Sequence, residues 1–219
     1  MQILSVNIGR QQTQPKGLEL EVTGIYKMPA SGSVQVAALG LEGDFICDQK
    51  NHGGPDQAVY LYGAPDYAWW AEQLGRELAP GTFGDNLTLS EFESAQYNIG
   101  DRLRIGSVIL EFTAPRIPCS TLARRMNDPM FVRKFAHAER PGMYCRVIQG
   151  GTLRAGDKAT LEHCRAETVP SIEIFRDHYR REKDARLLQR FLRAPIAIRA
   201  RADVEEDLKR LAGELTDDR

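Results

Sequence analysis

The segment Thr113-Ala114-Pro115-Arg116-Ile117-Pro118-Cys119-Ser120-Thr121-Leu122 runs from the end of an apolar stretch, through two prolines, into a helix start. Each proline fixes its own φ and pushes the preceding residue toward extended backbone, so the approach to Cys119 is stiff. Cys119 falls at or just before the first helical turn. There the helix dipole and the guanidinium of Arg116 both favour a thiolate over a thiol. A thiolate attacks electrophiles or ligates a soft metal. The plainer alternative, a buried apolar cysteine, is the commoner fate of a lone Cys, and residue types alone leave both open. Cys47, Cys145 and Cys164 lack this setting. Cys145 lies inside an apolar strand and Cys164 follows one, which reads both as structural. His137 and His163 have no partner at ligand spacing and read as surface or capping residues.

Anion chemistry is suggested by Gly40-Leu41-Glu42-Gly43-Asp44, followed by Lys50-Asn51-His52-Gly53-Gly54-Pro55-Asp56-Gln57-Ala58-Val59. Glycines at these spacings permit positive φ, and successive backbone amides can then form a concavity for an anion, with Lys50 and His52 as further donors. A tight turn with a capping histidine is the competing reading. In Pro80-Gly81-Thr82-Phe83-Gly84-Asp85-Asn86-Leu87, Asp85 and Asn86 suit a plain turn. Asn86 alternatively offers a bifunctional amide to a heterocycle or phosphate. No Ser nucleophile elbow, HExxH or GxGxxG occurs, and no Gly-Lys-Ser/Thr opens a helix, so hydrolase, zincin, Rossmann and P-loop readings have no support.

These loops must be held by strands. Period-2 alternation or short β-branched runs predict strands over 1–8, 18–23, 34–39, 59–62, 101–105, 108–112, 143–149 and 158–163. Gly106-Ser107 reads as a tight hairpin turn. Helices are expected over 64–74, opened by Pro65 and Asp66, and over 120–135, broken at Asp128-Pro129. Phe131 and Phe135 share a face there and read as core. Beyond about residue 166 the strand signals stop. Charged helices are expected over 171–181, 184–193 and 202–215, the last with an apolar stripe of Val204, Leu208 and Leu211. Arg176, Arg180, Arg181 and Lys183 are interleaved with carboxylates and read as a solvated face rather than a nucleic-acid surface. The expected fold is mainly β with α (α+β): a β domain over 1–165 and a small helical bundle over 166–219.

Composition agrees with an ordinary globular chain: 219 residues, 42% hydrophobic, 27% charged and a formal net charge of −1. That charge creates no field toward nucleic acids or anionic membranes. No apolar run suits a bilayer, and Met1–Arg10 lacks the features of a signal peptide. The four cysteines form no CxxC pair, which argues against zinc and disulfide scaffolds and fits a reducing compartment. The expectation is a cytoplasmic protein.

Taken in order, Gly40–Asp44, His52–Val59, the Gly81–Leu87 loop, Ile99-Gly100-Asp101-Arg102 and Pro115-Arg116-Ile117-Pro118-Cys119 resemble the MOSC domain family. The helical tail resembles the three-helix extension of its YiiM-like subgroup. The resemblance implies a barrel-like β domain with a cleft for the pterin-phosphate of molybdenum cofactor (Mo-molybdopterin). It implies Cys119 as molybdenum ligand or sulfur carrier, with Arg116 beside it. Glu42, Gly43, Asp44, Lys50, His52, Gly53, Gly54, Gln57, Asp85, Asn86 and Arg116 are then the cofactor-holding residues. It further implies reduction of small N-hydroxylated compounds such as hydroxylaminopurines, with electrons from a separate reductase protein and neither nucleic acid nor membrane as partner. The tail's apolar stripe offers a face for a homodimer or for that reductase. A persulfide carrier on Cys119 and a non-catalytic cofactor-binding module are the alternatives. Asn51 and Gln57 depart from the family pattern, which favours an apolar or basic residue at the first and a basic one at the second.

Overall fold

Across Gly106-Ser107, Ile105 pairs with Val108, so the expected two-residue turn closes a hairpin in the largest sheet. The computed structural model describes residues 1–48 and 52–217, with side chains to 213. Its strands begin with β1 (Ile3–Gly9), β2 (Gln12–Lys16), β3 (Glu19–Thr23), β4 (Lys27–Pro29), β5 (Val34–Ala37), β6 (Gly40–Leu41) and β7 (Val59–Gly63), followed by helix α1 (Ala64–Leu74). Next come β8 (Leu87–Leu89), β9 (Arg102–Ile105), β10 (Val108–Ala114), α2 (Ser120–Arg125) and α3 (Phe131–Ala138). The chain continues through β11 (Met143–Gln149), β12 (Gly151–Leu153), β13 (Ala159–Glu162), α4 (Ser171–His178), α5 (Ala185–Arg193) and α6 (Ile198–Asp217).

The largest sheet has the order β13-β9-β10-β11-β7-β8-β1-β4. Its pairs are antiparallel except β7–β8, which α1 joins as a crossover, as a parallel pair requires. The sheet curls until the start of β1 meets the residues leading into β13. The contact is one isolated bridge, Gln2 to Lys158, flanked by main-chain bonds from Ile3 N to Asp157 O at 3.0 Å, Gly156 N to Ile3 O at 2.8 Å and Ala159 N to Met1 O at 3.0 Å. The expected barrel is therefore corrected to an unclosed one, because β1 and β13 share no continuous ladder at the seam.

Two bodies of buried side chains flank the sheet. Leu103, Leu110, Phe112 and Met143 on one side merge with Leu188, Phe191, Ile196 and Val204 of the helical tail. The tail thus shares the β domain's core. Its stripe residues Val204, Leu208 and Leu211 pack against the same body, Val204 buried and the two leucines partly so. On the other side Tyr62, Trp70, Phe83, Phe131 and Phe135 form an aromatic layer, with Trp70 and Phe135 stacked at 5.9 Å. Each of these rings is fully buried, a contribution of about 1.5–3 kcal/mol apiece.

The break at Asp128-Pro129 occurs as expected, and Asp128 Oδ1 fixes the turn before the restart by accepting from Met130 N at 2.9 Å. Helix α6, by contrast, begins four residues before the expected Ala202. Its orphan first-turn donor, Ile198 N, finds the Asp56 carboxylate at 2.7 Å. That cap lies 142 residues away in sequence, and no local pattern announces it.

Candidate functional site

Cys119 is the N-cap of α2, in extended backbone at φ −125° and ψ 169°. Its thiol is half-buried. Burial alone would raise its pKa, but a hydrogen bond from His52, the charge of Arg116 and the backbone N–H of Leu122 together bring it down to about 6. At neutral pH most of this sulfur is thiolate. Arg116 and the first-turn amide of α2 thus act as the sequence suggests, and His52, from another loop, adds the largest lowering influence.

Around this sulfur lies a cavity of about 370 Å³. Arg116, His52, Tyr144, Lys27 and Asn86 are among its walls, with β3 and residues 45–48 forming another side. Arg116 is only 5% exposed. It donates from Nη1 to Phe83 O, and its charge sits 5.0 Å from the Tyr60 ring centroid. Its Nε is buried without a partner. Burial opposes the guanidinium charge, but Tyr144, Tyr60 and Cys119 outweigh it and hold the pKa above its ordinary value. The cavity therefore combines a thiolate with a fixed, incompletely bonded cation.

Beneath the cavity runs a polar network. Lys27 Nζ pairs with Asp44 Oδ2, which also accepts from Asn86 Nδ2 at 2.9 Å. Gly9 N donates to Asp44 Oδ1 at 2.7 Å. Asn86 Oδ1 accepts from Tyr60 N at 3.1 Å, tying the network to β7. Asp85, fully buried, accepts from Tyr67 Oη and Thr88 Oγ1, each at 2.6 Å. Burial raises its pKa despite these bonds. Burial likewise pulls the Lys27 pKa down, with Asp44 and Asp85 pulling the other way.

The structure brings together Cys119, Arg116, His52, Gly53, Gln57 and Asn86 on the cavity wall. Asp44 and Asp85 stand behind it as supports. Glu42 and Gly43 are exposed and off this wall; Glu42 lines a separate groove with Arg10 and Gln12. Lys50 and Asn51 lie outside the described residues. Gly53 has φ +98°, which disfavours any side chain, and a Cβ there would press on Ile46 Cγ2 at 3.1 Å. Gly54 precedes the turn Pro55–Gln57.

Gln57, where a basic residue was expected, accepts from Arg199 Nη1 at 3.4 Å, and Arg199 Nη2 reaches Gly53 O at the same distance. Helix α6 thus supplies a guanidinium to this loop. Sequence reasoning also missed Lys27, Tyr60 and Tyr144, whose strands gave no hint of which face meets the cavity. Cys47, set aside earlier, is exposed on the cavity wall. Among the described residues no group of three His, Cys, Asp or Glu side chains could hold a metal ion, and no helix is long and apolar enough to cross a membrane.

Comparison with known proteins identifies the family. The MOSC domain model matches residues 48–160. An uncharacterized protein, YflK of Bacillus subtilis (strain 168), is 35% identical over 192 residues, 87% of this chain and 86% of that protein. YiiM of Escherichia coli (strain K12) is 29% identical over 156 residues, 69% of this chain and 68% of YiiM. A protein named "Reductase" from Gibberella moniliformis (strain M3125 / FGSC 7600) is 31% identical over 163 residues, 73% of this chain but 29% of that protein. Among solved structures, YiiM from Geobacillus stearothermophilus superposes with a TM-score of 0.77 at 25% identity, covering 94% of this chain and 98% of that one. Family model, relatives and fold converge: the chain belongs to the MOSC domain family and is a YiiM-like member of it.

Proposed function

We propose that this chain is a molybdenum-cofactor-dependent reductase of N-hydroxylated compounds, with Cys119 as the soft protein ligand of the metal. The observation that carries the reading is the thiolate of Cys119, with a pKa of about 6, on the wall of a cavity it shares with the buried Arg116. The residues fit the group. A soft metal takes a thiolate, and the unpartnered Nε of Arg116 has a hydrogen bond left to give an anion. Lys27, Asn86 and the Gly53 backbone add polar contacts on the same wall.

When bound, the cofactor supplies the electron chemistry that cleaves an N–O bond, consuming two electrons and two protons and releasing water. This chain's residues bind, orient and handle protons. Arg116 balances anionic charge in a cavity where burial strengthens its field. His52, bonded to Cys119 and 3.4 Å from the Tyr144 hydroxyl, is positioned to hand a proton to a departing hydroxyl. In this reading the electrons come from a separate reductase protein.

The test is metal and pterin analysis of protein made in cofactor-sufficient cells, with turnover of 6-hydroxylaminopurine under an electron donor. Cys119→Ala is expected to lose both molybdenum and activity. Full retention of both in that variant overturns the reading. Sulfur added to Cys119 by a cysteine desulfurase, seen in intact mass and without any N–O reduction, would instead indicate a persulfide carrier.

A further inference from the structure

Tyr144 sits in β11 with its backbone held on both sides, opposite Tyr60 of β7 and Ala114 of β10. Its carbonyl accepts from Thr113 Oγ1 at 2.9 Å, and its ring centroid lies 4.9 Å from that of Tyr60. The residue is buried. His52, by contrast, stands on a loop, tied by its own N–H to Asp48 O at 2.8 Å. Where the two side chains meet at 3.4 Å, the tyrosine is the anchored partner and the imidazole the one that adapts.

A buried hydroxyl proton needs an acceptor. Among the described residues, His52 Nδ1 is the one hydrogen-bond partner of the Tyr144 hydroxyl. Arg116, the nearest cation acting on it, carries donors only. Burial holds the phenol pKa above its ordinary value, so the hydroxyl keeps its proton. Nδ1 accepts that proton only when it carries none of its own. The hydrogen bond made by one imidazole nitrogen decides the state of the other, which puts the ring proton on Nε2. The ring also bonds the Cys119 sulfur, and a thiolate is an acceptor that an Nε2–H suits. An imidazolium in the same place would leave the hydroxyl proton without an acceptor.

We infer that Tyr144 is a positioning residue of this site: by donating to Nδ1 it fixes His52 as the neutral imidazole with its Nε2–H turned to the Cys119 sulfur. Cys119 and His52 are then a hydrogen-bonded pair rather than an ion pair. The arrangement stands on the chain alone. Its bearing on turnover rests on the reductase reading, in which the Nε2 proton is the one His52 delivers.

The experiment uses the cofactor-free full chain with nitrogen-15 histidine, slightly above neutral pH. Long-range proton–nitrogen correlation spectra separate the three forms of an imidazole, and the signal lost in His52→Gln assigns His52. The unaltered protein is expected to hold the Nε2–H form in at least tenfold excess. Tyr144→Phe, which removes only the hydroxyl, is expected to cut that excess at least threefold. In loaded protein the same variant should keep its molybdenum and lose kcat for 6-hydroxylaminopurine at least tenfold, with KM within about threefold.

An imidazolium or an Nδ1–H form in the unaltered protein, or an undiminished Nε2–H excess in folded Tyr144→Phe, overturns the inference and leaves the reductase reading standing. A changed tautomer with unaltered kcat overturns the part of Tyr144 in turnover. A Tyr144-dependent tautomer in a protein that turns over no N-hydroxylated compound would sink the reductase reading and keep the positioning. Should Tyr144→Phe fail to fold, the unaltered protein decides: a hydroxyl proton correlated with His52 Nδ1 supports the inference, and its absence overturns it.

Discussion

The His52 Nδ1 stands 3.4 Å from the Tyr144 hydroxyl, and the same ring hydrogen-bonds the Cys119 thiol. One imidazole thus joins a loop of the first half of the chain, a strand of the second half and the start of α2. Its bond to sulfur is the largest of the influences that lower the thiol pKa, which makes the nucleophilicity of Cys119 a tertiary property.

Alkylation of the cofactor-free protein by iodoacetamide, followed by mass spectrometry against pH, should show Cys119 reacting with a midpoint near 6. In His52→Ala the midpoint should move up. An unchanged midpoint would mean that Arg116 alone controls the sulfur.

The same group gives a pH signature in stability. The Cys119 pKa of about 6 in the folded chain lies below the thiol's ordinary 9.0. Between those values the unfolded chain holds the proton and the folded chain does not, so stability rises with pH. Compared with Cys119→Ser, the unaltered protein should gain stability from about pH 6 toward pH 9 and lose that advantage as pH falls through 6. Urea denaturation at three pH values measures it, and a flat difference would contradict the shift.

Replacing Lys27 by Met leaves Asp44 buried beside no ammonium. Breaking a buried pair from one side costs roughly 3–5 kcal/mol, while the double change Lys27→Met with Asp44→Asn should recover part of that. Denaturation midpoints of the three proteins test the coupling, which strict additivity would refute.

At Gly84 the φ is +75°, and a Cβ would lie 3.2 Å from both Arg116 Nη1 and Ile25 Cγ1. Gly84→Ala should destabilise by about 1–3 kcal/mol from backbone strain. It should also displace the guanidinium and lower the molybdenum content of protein made in cofactor-sufficient cells. Normal content would show that Arg116 tolerates the shift.

Phe191→Ala in α5 should cost about 3–5 kcal/mol. Because Phe191 packs in the same body as Phe112 and Met143, unfolding should remain one transition by calorimetry. A separate early melting of the tail would show two independent units, as the expected boundary at residue 165 proposes.

Much of this was legible in the chain because it is local. Helix Ala64–Leu74 and strand Met143–Gln149 occur with the expected ends, since caps and apolar period are written in adjacent residues. Short strands such as Gln12–Lys16 and Leu87–Leu89 were not, because their partners rather than their own residues make them strands. At the site, Cys119 and Arg116 announce themselves beside two prolines. Lys27 does not, because its function depends on facing Asp44, seventeen residues away. Position 57 shows the same limit in reverse: the expected cation is present nearby, but it is Arg199 that brings it.

That contact has a consequence for the order in which the protein is made. The Gly53–Gln57 loop leaves the ribosome some 142 residues before Arg199, and Asp56 waits equally long for the Ile198 N–H it caps. Until α6 emerges, the nascent chain carries Cys119 without the finished wall around it. Assembly of the Gly53–Gln57 loop against α6 is therefore a late event of biosynthesis, and the wall around Cys119 is complete only once the tail has folded.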